Sequence, residues 1–148
     1  MRVLIQRVAR AAVRVEGETI AAIGPGLLVL AAFKAGDRLP QLEWMAEKVA
    51  HLRIFEDAEG KMNRSLLEIG GQALIVSQFT LYGDVRRGRR PSFDASAPAD
   101  EARPLFEKFV DILSSRGIMT AVGRFQAAMQ VELVNDGPVT ILLDSPEG

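Results

Sequence analysis

The run Leu27-Leu28-Val29-Leu30-Ala31-Ala32-Phe33 follows the breaker Gly24-Pro25-Gly26 and reads as a strand buried on both faces. A second such run, Ala73-Leu74-Ile75-Val76-Ser77-Gln78, follows Gly70-Gly71. Two stretches of helical period accompany them. Leu42, Met45, Ala46, Val49 and Leu52 form one stripe, with Asp37 as the expected cap and an end near Phe55. Leu105, Phe106, Phe109, Val110 and Leu113 form the other, with Asp100 as the expected cap, Pro104 tolerated near the start and Gly117 closing it. Buried strands plus helices with one apolar face call for an α/β chain with helices packed on sheet.

The rest is less regular. Val3, Ile5, Val8, Val13 and Val15 suggest β-structure that turns at Glu16-Gly17-Glu18 into Thr19–Ile23. Asp57-Ala58-Glu59-Gly60 is a turn, residues 61–71 show no period, and residues 83–98 form a polar, arginine-rich loop. From Ile118 onward the chain is strand-like, ending in a tail, residues 145–148, expected to fray. Within it, Asn135-Asp136-Gly137-Pro138 separates two apolar runs, a hairpin signal. Pro138, which has no N–H for a ladder, stands where the return strand would begin, and local rules alone favour a trans turn.

At 148 residues the chain is expected to form a single domain, 1–148. No apolar run is long enough to cross a membrane and the first residues lack a signal-peptide pattern, so no membrane partner is expected. Cysteine is absent, which excludes disulfides, thiolate catalysis and cysteine-zinc sites and suits the cytoplasm. With His51 as the one histidine, a multi-histidine metal site is also excluded, and no metal or other cofactor is expected. No phosphate-binding glycine loop occurs. The net charge of −1 leaves affinity for nucleic acid to a local patch.

Three segments carry candidate chemistry. Ser77-Gln78-Phe79-Thr80-Leu81 offers hydroxyls, an amide and backbone N–H groups at a strand end, or is a strand that ends in polar residues. Arg86, Arg87, Arg89 and Arg90 give four guanidinium groups within five residues, either a phosphate patch or a solvated loop, with Lys61 and Arg64 as possible extensions. Gly137-Pro138 is the third. His51 reads as a surface helix residue rather than a base, Trp44 as partial core or interface, and Phe125 to Met129 as strand packing.

Together these segments resemble the D-aminoacyl-tRNA deacylase family along nearly the whole chain. The resemblance runs through Ile5-Gln6-Arg7-Val8, Gly24 to Leu30, Arg53-Ile54-Phe55 and Asp57 to Asn63. It continues through Ser77 to Leu81, Arg90-Pro91-Ser92-Phe93, Gly123-Arg124-Phe125 and Asn135 to Thr140. The paired S-Q-x-x-L and N-x-G-P-x-T signatures are its specific core. A related animal deacylase carries proline in place of Ser77, so Ser77 favours this branch.

The resemblance implies a three-layer α/β/β fold, mixed sheets with two main helices on one side, and a homodimer. It implies hydrolysis of the ester between a D-amino acid and the 3′-terminal adenosine of tRNA. Catalysis would fall to Ser77, Gln78, Phe79 and Thr80. A cis Gly137-Pro138 dipeptide would enter the other subunit's site and reject L-substrates, with Arg7 holding its carbonyls and Gln6 and Met129 among the substrate-binding residues. The partner would be tRNA carrying a D-amino acid or glycine, contacted by Arg86, Arg87, Arg89 and Arg90. Two alternatives stand beside this: a non-catalytic RNA-binding module, and an editing hydrolase devoted to mischarged glycine.

Overall fold

The computed structural model describes residues 1–147. In chain order its elements are β1 (Arg2–Val15), β2 (Glu18–Ile23), β3 (Gly26–Ala32), α1 (Leu39–His51), β4 (Phe55–Glu56), β5 (Met62–Arg64), β6 (Gln72–Ser77), α2 (Ala99–Ser115), β7 (Met119–Val122) and β8 (Gln130–Asp144), with a 3₁₀ turn at Phe79–Tyr82 after β6. The β1–β2 turn takes positive φ at both Glu16 and Gly17, matching the twist of a tight hairpin. β3, β6 and β7 run parallel, and α1 and α2 make the crossovers between them. Gly26 is required where β3 meets β6, since a Cβ there would come within 1.9 Å of the Gln72 carbonyl oxygen.

The two buried runs are buried on both faces for different reasons. Leu27, Val29, Ala31, Ala73 and Ile75 face α1 and α2, joined by Val3 and Ile5 of β1. Leu28, Leu74 and Val76 face the other way, onto Val8, Ala11, Val13 and Ile23. β1 serves both cores because its alternation is interrupted midway: Arg7 and Val8 are both buried, Ala9 and Arg10 both exposed. Register shifts against β8 fall at the same place. The bulged strand bends there, so its second half, with β2 and the start of β8, folds over the parallel strands. The result is the three-layer α/β/β arrangement with both helices on one side.

Several local expectations are corrected. α1 begins after Arg38, whose N–H donates to the Gln41 side chain at 2.8 Å. Asp37 instead accepts from the Lys34 N–H. α1 stops at His51, not Phe55, because Ile54 and Phe55 turn into the core. α2 begins at Ala99 behind Pro98, leaving Asp100 and Glu101 in its first turn, where negative charge suits the helix dipole. Residues 61–71 are not wholly irregular: Met62–Arg64 pair with β4. The tail is tied down as far as Glu147, which bonds Lys34, while the Ser145 N–H donates to the Met1 carbonyl; Gly148 lies outside the described residues.

The largest correction concerns Asn135 to Pro138. The chain does not reverse there. β8 pairs with β1 on both sides of the motif, from Gln130 opposite Arg14 to Asp144 opposite Arg2. Between the pairs Gln6–Thr140 and Val8–Asn135, β1 advances two residues and β8 advances five. The surplus is extruded as a bulge, so Pro138 needs no ladder partner.

Candidate active site

A cavity of about 690 Å³ opens at the carboxyl ends of the parallel strands. Each chain segment leaving those strands supplies a wall: Ala32 and Phe33 after β3, Ser77 to Phe79 after β6, and Phe125 to Ala127 with Met129 after β7. Phe93 and the start of α2 complete it. Parallel α/β sheets bind ligands at this end, where each strand releases its chain into a loop. No lining side chain is ionisable, so the cavity of one chain offers hydroxyls, amides and aromatic surface but no general base.

Ser77 and Gln78 are half-buried in this wall, and the Gln78 N–H continues the sheet by donating to the Ala31 carbonyl at 2.8 Å. The chain then enters the 3₁₀ turn, where Leu81 bonds back to Gln78 and Gly83 to Thr80. The first N–H groups of such a turn have no partner within it, here those of Phe79 and Thr80. Phe79 is 55% exposed at the mouth and packs edge-on against Phe93, with ring centroids 5.2 Å apart. Thr80 is exposed beside it but outside the cavity lining. His51, on the outer face of α1 with Glu47 at 3.6 Å, takes no part.

The other predicted residues lie elsewhere in the chain. Gly137 and Pro138 are exposed on the bulge, and their peptide bond is cis. Asn135 clasps the bulge from below, its side chain accepting from the Val139 N–H at 2.8 Å and donating to the Val139 carbonyl at 3.2 Å. Arg7 is buried beneath it. Its Nε donates to the Asp136 carbonyl and its Nη1 to the Ile54 carbonyl, each at 2.8 Å. Arg7 therefore holds the carbonyl one residue ahead of the dipeptide, a correction to the expected contact. Gln6 donates to the Thr140 hydroxyl at 3.2 Å, on the half-exposed sheet face beside the bulge.

Ser77 stands beside Ala31, which stands beside Val3, whereas the bulge is level with Arg7. Four residues along the strand and three strands across make about 20 Å between the bulge and the cavity. Of the predicted residues, one chain thus gathers Ser77, Gln78, Phe79 and Met129, and leaves Gly137, Pro138, Arg7 and Gln6 at the opposite end of the sheet.

The arginine loop is closed at its base by reciprocal backbone bonds between Asp84 and Ser92. Within it Arg86 is occupied by Asp84, with Nη2 to Oδ2 at 2.7 Å and Nε to Oδ1 at 2.9 Å. The Arg86 bonds hold the Asp84 carboxyl down at about 2. Arg87, Arg89 and Arg90 remain exposed around Gly88. Lys61 and Arg64 are engaged on the β4–β5 hairpin, with Glu59 and the Glu68 carbonyl respectively.

Residues 4–144 match the family described as D-Tyr-tRNA(Tyr) deacylase. The chain belongs to this family. A D-aminoacyl-tRNA deacylase of Thermomicrobium roseum is 59% identical over 147 residues, covering 99% of this chain and 96% of that one. One from Heliobacterium modesticaldum is 57% identical over 148 residues, covering 100% and 99%. Among solved structures, one described as a c-Myc DNA unwinding element binding protein superposes with a TM-score of 0.94 at 41% identity, covering 99% of this chain and all of that one. Another, described as a probable eukaryotic D-amino acid tRNA deacylase, has a TM-score of 0.83 at 21% identity, a likeness of fold. Family membership carries the hydrolase class with it. Phe125 to Met129, expected to pack as strand, lie instead in the loop between β7 and β8, where Phe125, Gln126, Ala127 and Met129 line the cavity. Phe93 and Phe125 stood in the matching segments, but nothing in sequence showed that they face one cavity.

Proposed function

We propose that this deacylase frees D-amino acids, and glycine, from the 3′-terminal adenosine of tRNA, as a cytoplasmic homodimer whose residues 1–148 act as one catalytic domain. Gly137 and Pro138 of one subunit would stand against Ser77 to Thr80 of the other. The observation that carries this reading is the separation of about 20 Å between the bulge and the cavity within one chain, worked from strand spacing. The dipeptide is exposed, buttressed from behind by Arg7 and Asn135, and offered outward. Leu142, 53% exposed, pairs with half-exposed Leu4 on the same sheet face, an apolar strip suited to a second copy.

Stereochemical choice follows from rigid backbone. Carbonyls fixed in a buttressed bulge cannot swing aside as side chains can. A D-aminoacyl group sets its ammonium against them and its side chain outward, whereas the L-enantiomer in that pose drives its Cβ into the wall. Glycine has no Cβ to reject and passes, which makes it a second substrate.

The chemistry needs little from side chains. An aminoacyl ester is activated already, so positioning and charge stabilisation suffice. Water attacks the carbonyl carbon, the N–H groups of Phe79 and Thr80 receive the developing oxyanion, and the ribose 3′-oxygen leaves with a proton. The neighbouring 2′-hydroxyl of the substrate relays that proton, which accords with a cavity free of ionisable side chains. Arg87, Arg89 and Arg90, with Arg86 already paired to Asp84, face the phosphates of the acceptor end.

Rates on D-tyrosyl-, glycyl- and L-tyrosyl-tRNA test the proposal. Turnover of the first two with the third spared supports it. Equal hydrolysis of L- and D-tyrosyl-tRNA refutes the stereochemical reading, and binding of RNA with no turnover favours a nucleic-acid-binding module.

A further inference from the structure

We propose that Arg103 is a positioning residue for the cavity, holding the Phe125–Gln126 wall in place from outside. This rests on the reading of that cavity as the substrate site. The wall is the segment 123–129 between β7 and β8, which has no regular secondary structure. Its backbone is pinned at the Gly123 N–H, which donates to the Ile75 carbonyl at 2.9 Å, and by a turn from Ala127 to Arg124 at 3.2 Å. Gln126 adopts positive φ, 62°, an arrangement non-glycine residues hold only when their surroundings impose it.

Arg103 supplies that imposition. It lies on the exposed side of α2, yet its guanidinium sits 4.6 Å from the centre of the Phe125 ring. Its Nη2 also donates to the Gln126 Oε1 at 3.1 Å. Phe125 in turn meets Phe106 of the core with ring centroids 5.9 Å apart. One side chain thus engages both consecutive wall residues and ties them to a rigid helix. A wall held before substrate arrives spares the ordering that binding would otherwise impose. Because Arg103 is exposed, its removal opens no core cavity, and its effect should fall on substrate affinity rather than on folding.

The experiment compares steady-state deacylation of D-tyrosyl-tRNA by the full chain and by Arg103→Ala, Arg103→Lys, Phe125→Leu and the Arg103→Ala/Phe125→Leu double variant, each with a thermal melt. Ala127→Phe, which fills the cavity, is the control for the site itself. Expected is a rise in KM of about 5- to 10-fold for Arg103→Ala with kcat within about twofold, partial rescue by Lys, and an unchanged melt. In the Phe125→Leu background the Arg103→Ala effect should shrink, since the arginine acts through that ring. An effect of full size there, with a lowered salt dependence of KM, would make Arg103 a direct RNA contact and overturn the proposal. Unchanged kinetics for Arg103→Ala beside an impaired Ala127→Phe overturns the role of Arg103 alone. Unchanged kinetics for both overturns the site assignment and the proposal with it.

Discussion

Replacing Arg7 with Met should cost both stability and stereochemical choice. Arg7 is 6% exposed and its side chain gives one charged hydrogen bond to each of two carbonyls, those of Asp136 and Ile54, at 2.8 Å. Met matches its bulk but donates nothing. Ile54 is buried, so its carbonyl loses its guanidinium donor where water has little access; Asp136 is exposed and water replaces part of its loss. A buried acceptor left unpaired costs about 1–3 kcal/mol and the wetter one less, so the pair comes to about 2–4 kcal/mol. One effect pulls against this: burying a guanidinium carries a desolvation penalty that Met escapes. Loss of the pair with the Glu56 carboxylate, 3.8 Å away and exposed, adds little to the cost. For a chain of this length the net loss should lower Tm by about 4–12 °C. With its buttress gone the bulge should drift, and discrimination between D- and L-tyrosyl-tRNA should fall by at least about tenfold, as small misplacements at a site do. The assay is a thermal melt with paired deacylation rates. A Tm equal to that of the unmodified chain would refute the energetic reasoning; a lowered Tm with an intact D-to-L ratio would refute the link from Arg7 to stereochemical choice.

Thr80→Ala should turn over D-tyrosyl-tRNA at near-normal rate, because the proposed oxyanion donors are backbone groups; isolation of an acyl-threonine from the unmodified chain would overturn this. Changing Arg87, Arg89 and Arg90 together to Ala should flatten the slope of log KM against log salt by about 2 to 3, one counterion per lost phosphate contact; an unchanged slope would remove the loop from the RNA interface. The Asp84 carboxyl, held at about 2 by Arg86, lies below its unfolded value, so its contribution is present above the unfolded pKa and fades as pH falls toward 2. An NMR titration should therefore find Asp84 still charged at pH 3; a midpoint near the ordinary carboxylate value would show the loop pair does not form.

The layers of this fold were legible because each rests on a period. Leu27 to Phe33 and the stripes on α1 and α2 fall where apolar spacing put them, and Gly117 ends α2 in a left-handed conformation as expected. Helix starts were not, since Asp37 and Asp100 obey a local preference while neighbours outside the window decide where backbone becomes helical. Asn135 to Pro138 failed as a hairpin for the same reason. Turn chemistry is local, but β1 offers β8 a partner on both sides of the motif, and that long ladder keeps the chain going forward. Ser77 to Phe79 and Met129 share a cavity only because parallel strands end together. Arg103 carried no sequence signal, being one more charge on the polar face of a helix.

The central claim is that two chains build each site, and mixing subunits tests it most directly. Ala127→Phe blocks the cavity and spares the bulge, whereas Gly137→Val spoils the bulge, where even a Cβ would lie 2.9 Å from the Val139 nitrogen and 3.2 Å from Arg7 Nη2. Each variant alone should deacylate D-tyrosyl-tRNA poorly. Unfolded and refolded together in equal amounts, half the dimers would be mixed, and each mixed dimer would hold one sound site, restoring about a quarter of normal activity. Recovery at that level is the predicted result. Activity no greater than the average of the two variants would contradict a site shared between subunits.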